Sequence, residues 1–217
     1  MFTVKTVPAF VEHRNPSFER RCHSRRFRKW GNKEARQVCS MQSDEELMLS
    51  AGAGNLAAFD EIVCRHQGSA WNTAYRYLGD AADAEDIVQE TFLRLLRSAD
   101  QYRPTAAFRT YLYRIITRLC IDASRKKRPR PVADLAGVAG QVADPAADLE
   151  AAERTRAVRC ALDSLPPNQR MATVLRYYEG LSHLEIGEAM DTTAKAVERM
   201  LTRARATLET LLGGFLE

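Results

Sequence analysis

Residues 83–97 read DAEDIVQETFLRLLR. At 100° per residue, Ile87, Val88, Thr91, Phe92, Leu95 and Leu96 fall in one broad arc, the apolar face that a core helix needs. Asp86, Gln89 and Glu90 lie at i, i+3 and i+4 on the other side, and Leu93 projects into their midst. A leucine inside an acidic and amide patch suggests a docked partner. The plain alternative is a solvated face with one stray apolar residue.

Helical periodicity extends outward from this stretch. It predicts helices over roughly 44–51, 55–78, 83–98 and 106–127, with no strand signals. Ser43-Asp-Glu-Glu reads as a capped start. Asn55 reads as the N-cap of the second helix, whose Phe59, Ile62, Val63, Trp71, Ala74, Tyr75 and Leu78 supply core; Gly68 is a candidate kink, and Gly79-Asp80 the end. After the basic run RKKRPRP (125–131), residues 132–150 carry Asp134, Asp144, Asp148 and Glu150 without a Lys or Arg, in a setting of Ala, Gly and Pro. This predicts a flexible acidic linker over 129–149. Periodicity returns at about Leu149 and is broken at Leu165-Pro-Pro, near Gly180 and at Asp191. The expectation is an all-α chain with two small helical domains, 41–128 and 150–217.

Composition narrows the function classes. At 45% hydrophobic and 28% charged the 217 residues are globular in character, and no run approaches the roughly 20 apolar residues of a membrane span. Neither a secretory signal nor direct membrane insertion is read, so a cytoplasmic location is expected. Five cysteines without a CxxC pair read as reduced thiols, some buried. No clustered acid, base or metal set and no phosphate loop appears, so no enzyme, cofactor or metal site is expected. Net charge is +4, but residues 1–40 hold ten Lys/Arg against Glu12, Glu19 and Glu34, leaving −3 for the remainder. That basic, period-free extension reads as disordered. It is a nucleic-acid-attracting tail, an Arg-rich targeting segment, or an upstream extension ahead of a start at Met41; the capped helix just after Met41 favours the third.

Two further helices carry chemistry. In the helix near 106–128, Phe108, Leu112, Ile115, Ile116, Leu119 and Ala123 fill one face, while Thr110, Tyr111, Arg114, Thr117, Arg118 and Arg125 line the other, ahead of Lys126. Cations and planar rings along one face suit phosphates and unstacked bases of single-stranded DNA. Ile121, also on the outer side, is not explained by a merely solvated face. The segment 182–208, SHLEIGEAMDTTAKAVERMLTRARATL, divides into a short helix (182–190), a turn at Asp191-Thr192-Thr193, and a helix from about Ala194. Gly187 allows close backbone approach, Ile186, Met190, Val197 and Leu201 make a shared core, and Asp191 accepts the left-handed conformation usually given to Gly. With Val197, Leu201, Ala204 and Leu208 inward, Lys195, Glu198, Arg199, Thr202 and Arg203 face outward, as on a recognition helix in the major groove.

The ordered blocks DAEDIVQETFLRLLR, FRTYLYRIITRLCIDASRKKRP, LPPNQRMATVLRYYEGLSHLEIGEAM and TTAKAVERMLTRARATLETLL strongly resemble bacterial RNA polymerase sigma factors of the extracytoplasmic function (ECF) group. The resemblance implies a non-enzymatic initiation subunit. Sigma domain two would hold the beta-prime clamp helices of core polymerase through Asp86, Gln89, Glu90 and Leu93, and melt the minus-ten element with Tyr111, Arg114, Arg118, Arg125 and Lys126. Sigma domain four would read the minus-thirty-five element with Lys195, Glu198, Arg199, Thr202 and Arg203. Core polymerase (clamp helices and beta flap), promoter DNA and an anti-sigma factor are the implied partners. Two residues depart from the group's common pattern: Tyr111 stands where Trp is usual, and Arg118 where Asn is usual. The alternative from another class is a stand-alone helix-turn-helix regulator with helix 83–97 as a dimer interface.

Overall fold

The computed structural model describes residues 42–126 and 145–213. The described residues form eight α-helices and no strand: α1 (Asp44–Gly52), α2 (Leu56–Leu78), α3 (Ala81–Arg97), α4 (Phe108–Lys126), α5 (Pro145–Asp163), α6 (Pro167–Tyr177), α7 (His183–Ala189) and α8 (Ala194–Leu212), with a 3-10 turn at Ala99–Gln101. The basic extension 1–40 and the linker as far as residue 144 lie outside the described residues, as do Cys22 and Cys39. Among the described residues no helix is long and apolar enough to cross a membrane.

Local chemistry sets the boundaries. Ser43 and Glu46 close a capping box on α1, the Glu46 amide donating to Ser43 Oγ at 3.2 Å and the Ser43 amide to Glu46 Oε2 at 2.9 Å. Asn55 Oδ1 accepts the amides of Ala57 and Ala58, and Gly79 ends α2 at φ 79°, a conformation glycine adopts without a Cβ penalty. α2 continues through Gly68. Asp80 then caps α3 through the amides of Ala82 and Asp83, so α3 begins two residues before the expected Asp83: one residue ends a helix and the next opens another. α5 begins at Pro145, four residues ahead of the return of periodicity at Leu149.

α1 is bound into the fold by charge as well as packing. Asp44 meets Arg65 at 2.9 Å and His66 at 2.7 Å, and Glu45 Oε1 accepts the Phe108 amide at 2.7 Å, satisfying an orphan donor at the start of α4. Leu47, Met48, Ile62, Leu95, Phe108, Leu112 and Ile116 are fully buried beneath these contacts, each contributing roughly 1.5–3 kcal/mol of burial. The apolar cluster does not stop at the first helical unit: Met171, Leu175, Leu181, Ile186 and Val197 belong to it, because α6 and α7 pack on α2 and α4. A smaller cluster of Leu162, Leu165 and Ala204 holds α5 to α8.

Candidate protein and nucleic-acid interfaces

Helix α3 buries Ile87, Val88, Thr91, Phe92 and Leu95, as its arc demands, but Leu96 is 38% exposed. This corrects the expected apolar face. Leu96 lies about 100° from the centre of the arc, beside Gln89 and within about 60° of Leu93. Leu93 is itself 46% exposed. The two leucines therefore form one apolar patch, rimmed by exposed Asp86 and Gln89 and half-buried Glu90, whose Oε1 accepts from Arg94 at 2.7 Å.

Helix α4 departs from its expected wheel on one side. Thr110 (4% exposed) and Thr117 (1%) are buried, not outward, and Tyr113 and Cys120 are buried with them. These four recur at i, i+3, i+7 and i+10, a second inward stripe that α7 packs beside. Ile121 is half-buried against the core. Arg114, Arg118 and Arg125 are exposed; the side chain of Lys126 lies outside the described residues. Tyr111 is half-buried: its hydroxyl pairs with Ser98 Oγ at 3.0 Å and its ring lies 5.5 Å from that of Tyr102. Burial, with Glu45 and Tyr111 nearby, raises the Tyr102 hydroxyl to about 12.

The helix-turn-helix forms as the spacing predicts. Ser182 and Glu185 make a capping box on α7, which holds the Glu185 carboxyl below its ordinary value, and Thr193 Oγ1 accepts the Ala196 amide at 3.2 Å to open α8. A Cβ on Gly187 would stand 2.9 Å from the Thr192 carbonyl oxygen, which accounts for the glycine. Asp191 takes φ 51°. Ile186, Val197 and Leu201 are buried and Met190 half-buried. Lys195, Glu198, Arg199, Thr202 and Arg203 are all exposed and together line one shallow depression along α8.

Sequence reasoning missed a polar hub between the two units. Glu179, just after α6, has a side chain only 7% exposed. Its Oε1 accepts from Thr73 at 2.7 Å and its Oε2 from the Tyr113 hydroxyl, with Arg76 at 3.8 Å and Arg109 at 3.7 Å; Arg109 also donates to the Glu179 carbonyl. Burial first, then the facing carboxylate, pushes the Tyr113 hydroxyl well above its usual value. Around the hub, guanidinium groups stack on rings: Arg76 over Tyr178 (4.4 Å), Arg159 over Tyr75 (4.6 Å) and Arg170 over Tyr77 (5.6 Å). Farther along α4, Asp191 pairs with Arg114 at 2.5 Å and with Arg118. The Arg118 hydrogen bond is the main reason its carboxyl is held below the ordinary range.

Comparison with known proteins gives these surfaces a family. Residues 62–130 match the family model of Sigma-70 region 2, and residues 155–208 that of Sigma-70, region 4. The chain is 34% identical over 166 residues to the ECF RNA polymerase sigma factor SigW of Bacillus subtilis, covering 71% of this chain and 89% of that one. It is 34% identical over 172 residues to SigM of Mycobacterium tuberculosis (79% and 86% covered). It is 36% identical over 161 residues to SigE of Mycolicibacterium smegmatis, with 72% of this chain covered but only 62% of SigE's length. Among solved structures, CnrH in complex with the cytosolic domain of CnrY superposes with a TM-score of 0.61 at 32% identity, over 80% of this chain and 99% of that one. RpoE of Bartonella quintana, solved with the anti-sigma factor NepR, shares the fold at 18% identity, with a TM-score of 0.56 over 71% and 96% of the two chains. With both regions matched in order and relatives at this identity spanning most of their own length, the chain belongs to the ECF group of RNA polymerase sigma factors.

Proposed function

We propose that the chain binds core RNA polymerase through the α3 patch and carries it to promoters read by α4 and α8, without catalysis of its own. The observation that carries this reading is Leu93 and Leu96, exposed together inside a rim of Asp86, Gln89 and Glu90. An apolar centre with a polar rim suits docking on another protein. The clamp helices of the beta-prime subunit are the proposed occupant, the beta flap would take domain four, and an anti-sigma factor would compete with them. Such work places the protein in the cytoplasm. Comigration of the full chain with purified core enzyme tests the reading; duplex binding without core would instead indicate a stand-alone regulator.

Gln89→Ala combined with Glu90→Lys is expected to weaken binding to core polymerase while leaving helicity intact, since surface changes shift stability by only about 0.5 kcal/mol. Unchanged affinity by fluorescence titration with core enzyme would remove the assignment.

On α8, Arg199 is proposed to read a base edge in the minus-thirty-five element, with Lys195, Glu198, Thr202 and Arg203 around it. Arg199→Ala should cost roughly 1–3 kcal/mol on the preferred duplex and relax selectivity at one position. Measured by gel shift on a set of single-base variants, an equal loss on all of them would make Arg199 a phosphate contact.

A further inference from the structure

The α4 arginines proposed to hold DNA already hold a carboxylate of their own chain. Asp191, in the turn between α7 and α8, sits 2.5 Å from Arg114 and also pairs with Arg118, one helical turn along. Two guanidinium groups at i and i+4 are an anion clamp of the kind a phosphodiester would occupy. The Asp191 end of this contact is a choice that the local structure did not force. Asp191 is the only described non-glycine residue with positive φ, where Gly or Asn would serve the turn equally well and only Asp brings a negative charge.

The rest of the interface brings that turn beside α4 while leaving the outward face of α8 open. Glu179, buried against Thr73, Tyr113, Arg76 and Arg109, anchors domain four to α2 and α4. The groove beside Asp191 has Tyr102, Thr110, Tyr111 and Arg114 on one bank and Glu188 and Thr192 on the other. Thr117, farther along the same helix, is buried. By contrast, the depression lined by Lys195, Arg199 and Arg203 is exposed.

We propose that Asp191 is an intramolecular phosphate mimic: in the free protein the helix-turn-helix turn occupies the Arg114–Arg118 clamp, and single-stranded promoter DNA binds α4 by displacing it. The inference rests on the α4 reading given under Proposed function. The Asp191, Arg114 and Arg118 side chains are 44–56% exposed, so water and salt screen these pairs and a polyanion with several phosphates can outcompete them. The mimic therefore sets a threshold for DNA entry and not a permanent block.

The test uses the full chain and a fluorescein-labelled thymidine oligonucleotide of about 20 residues, long enough to cover one single-strand site. Anisotropy is followed across a salt series. Asp191→Asn keeps a residue that tolerates the left-handed turn and removes the charge; Asp191→Gly is the second variant, should the first perturb the turn, and circular dichroism reports folding for both. Either variant is expected to bind about three- to tenfold tighter at low salt. Its plot of log affinity against log salt should steepen by about 0.7–1.4, because one or two newly bare cations now meet phosphates. Adding Arg114→Ala and Arg118→Ala should abolish both gains. If Asp191→Asn changes nothing while Arg114→Ala/Arg118→Ala weakens binding, the arginines hold DNA and the mimic is overturned. A gain that persists without the two arginines is a general charge effect and also overturns it. If none of the variants changes binding, the α4 reading falls and the mimic with it.

Discussion

Glu179→Ala is expected to lower the unfolding free energy by about 3 kcal/mol, the scale found when one member of a buried, hydrogen-bonded charge network is removed. The carboxylate is the acceptor for two buried donors, the hydroxyls of Thr73 and Tyr113, and alanine leaves both without it. Thr73 Oγ1 still has the Ser69 carbonyl at 2.9 Å as an acceptor, so the larger share falls on the Tyr113 hydroxyl, about 1–3 kcal/mol for a buried polar group that loses its partner. Arg76 and Arg109 add less, since both lie beyond hydrogen-bond distance of the carboxylate and Arg109 is 46% exposed to water. Glu179→Gln keeps an acceptor and the volume and should lose about 1 kcal/mol, the net worth of a typical hydrogen bond. Urea unfolding followed by circular dichroism checks both values. A double-mutant cycle with Tyr113→Phe should show coupling between the two positions; additive losses would mean that the hydroxyl and carboxylate contribute independently.

What the sequence made legible, and what it did not, divides by distance along the chain. Caps and turns are local: Ser43, Asn55, Gly79, Leu165-Pro-Pro and Asp191 stand where single-residue chemistry places them. The outward set on α8 follows equally from the 3.6-residue period, once Val197, Leu201 and Ala204 are assigned inward. The Glu179 hub was invisible because its partners come from α2 and α4, and Thr73 is 106 positions away. No pattern within RYYEG distinguishes a buried glutamate from a surface one, and glutamates are seldom buried. One signal is present in the sequence. Thr110, Tyr113, Thr117 and Cys120 share a stripe at helical spacing, but two threonines and a tyrosine look like a solvated face until another helix is known to cover them.

The same distinction explains the α3 and α4 assignments. Leu96 stands at the edge of the broad arc, about as near to Leu93 and Gln89 as to the buried centre, and the edge of an arc is where burial is least determined by the sequence. Thr110 and Thr117 lie opposite the apolar face on the wheel, and they are buried because α4 also packs against α7. The α4 difference arises because that helix has more than one buried face. α4 has two, one toward α1–α3 and one toward α6 and α7, and the exposed arginines occupy what remains.

Gly187→Ala tests how tightly the crossing of α7 and α8 controls recognition. The added Cβ would stand 2.9 Å from the Thr192 carbonyl oxygen, 3.3 Å from the Ala194 amide nitrogen and 3.4 Å from the Thr193 carbonyl carbon. All three are backbone atoms, so no side chain can swing aside. The turn itself must move, against the Thr192 amide that donates to the Gly187 carbonyl at 2.8 Å. The expected cost is about 1–3 kcal/mol, the range for overpacking a close contact. Gly68→Ala is the matched control, for Gly68 lies inside α2 and its Cβ would meet nothing within 4 Å. There alanine should stabilise by about 0.5–1 kcal/mol through lower backbone entropy in the unfolded chain. Thermal or urea unfolding separates the two signs. DNA binding separates them further: base-edge contacts tolerate displacements of only about 0.5 Å, so a shifted α8 should weaken duplex binding in Gly187→Ala while Gly68→Ala binds as the parent does. If Gly187→Ala unfolds and binds like the parent, the close approach of these two helices does not set the position of Arg199 and Arg203.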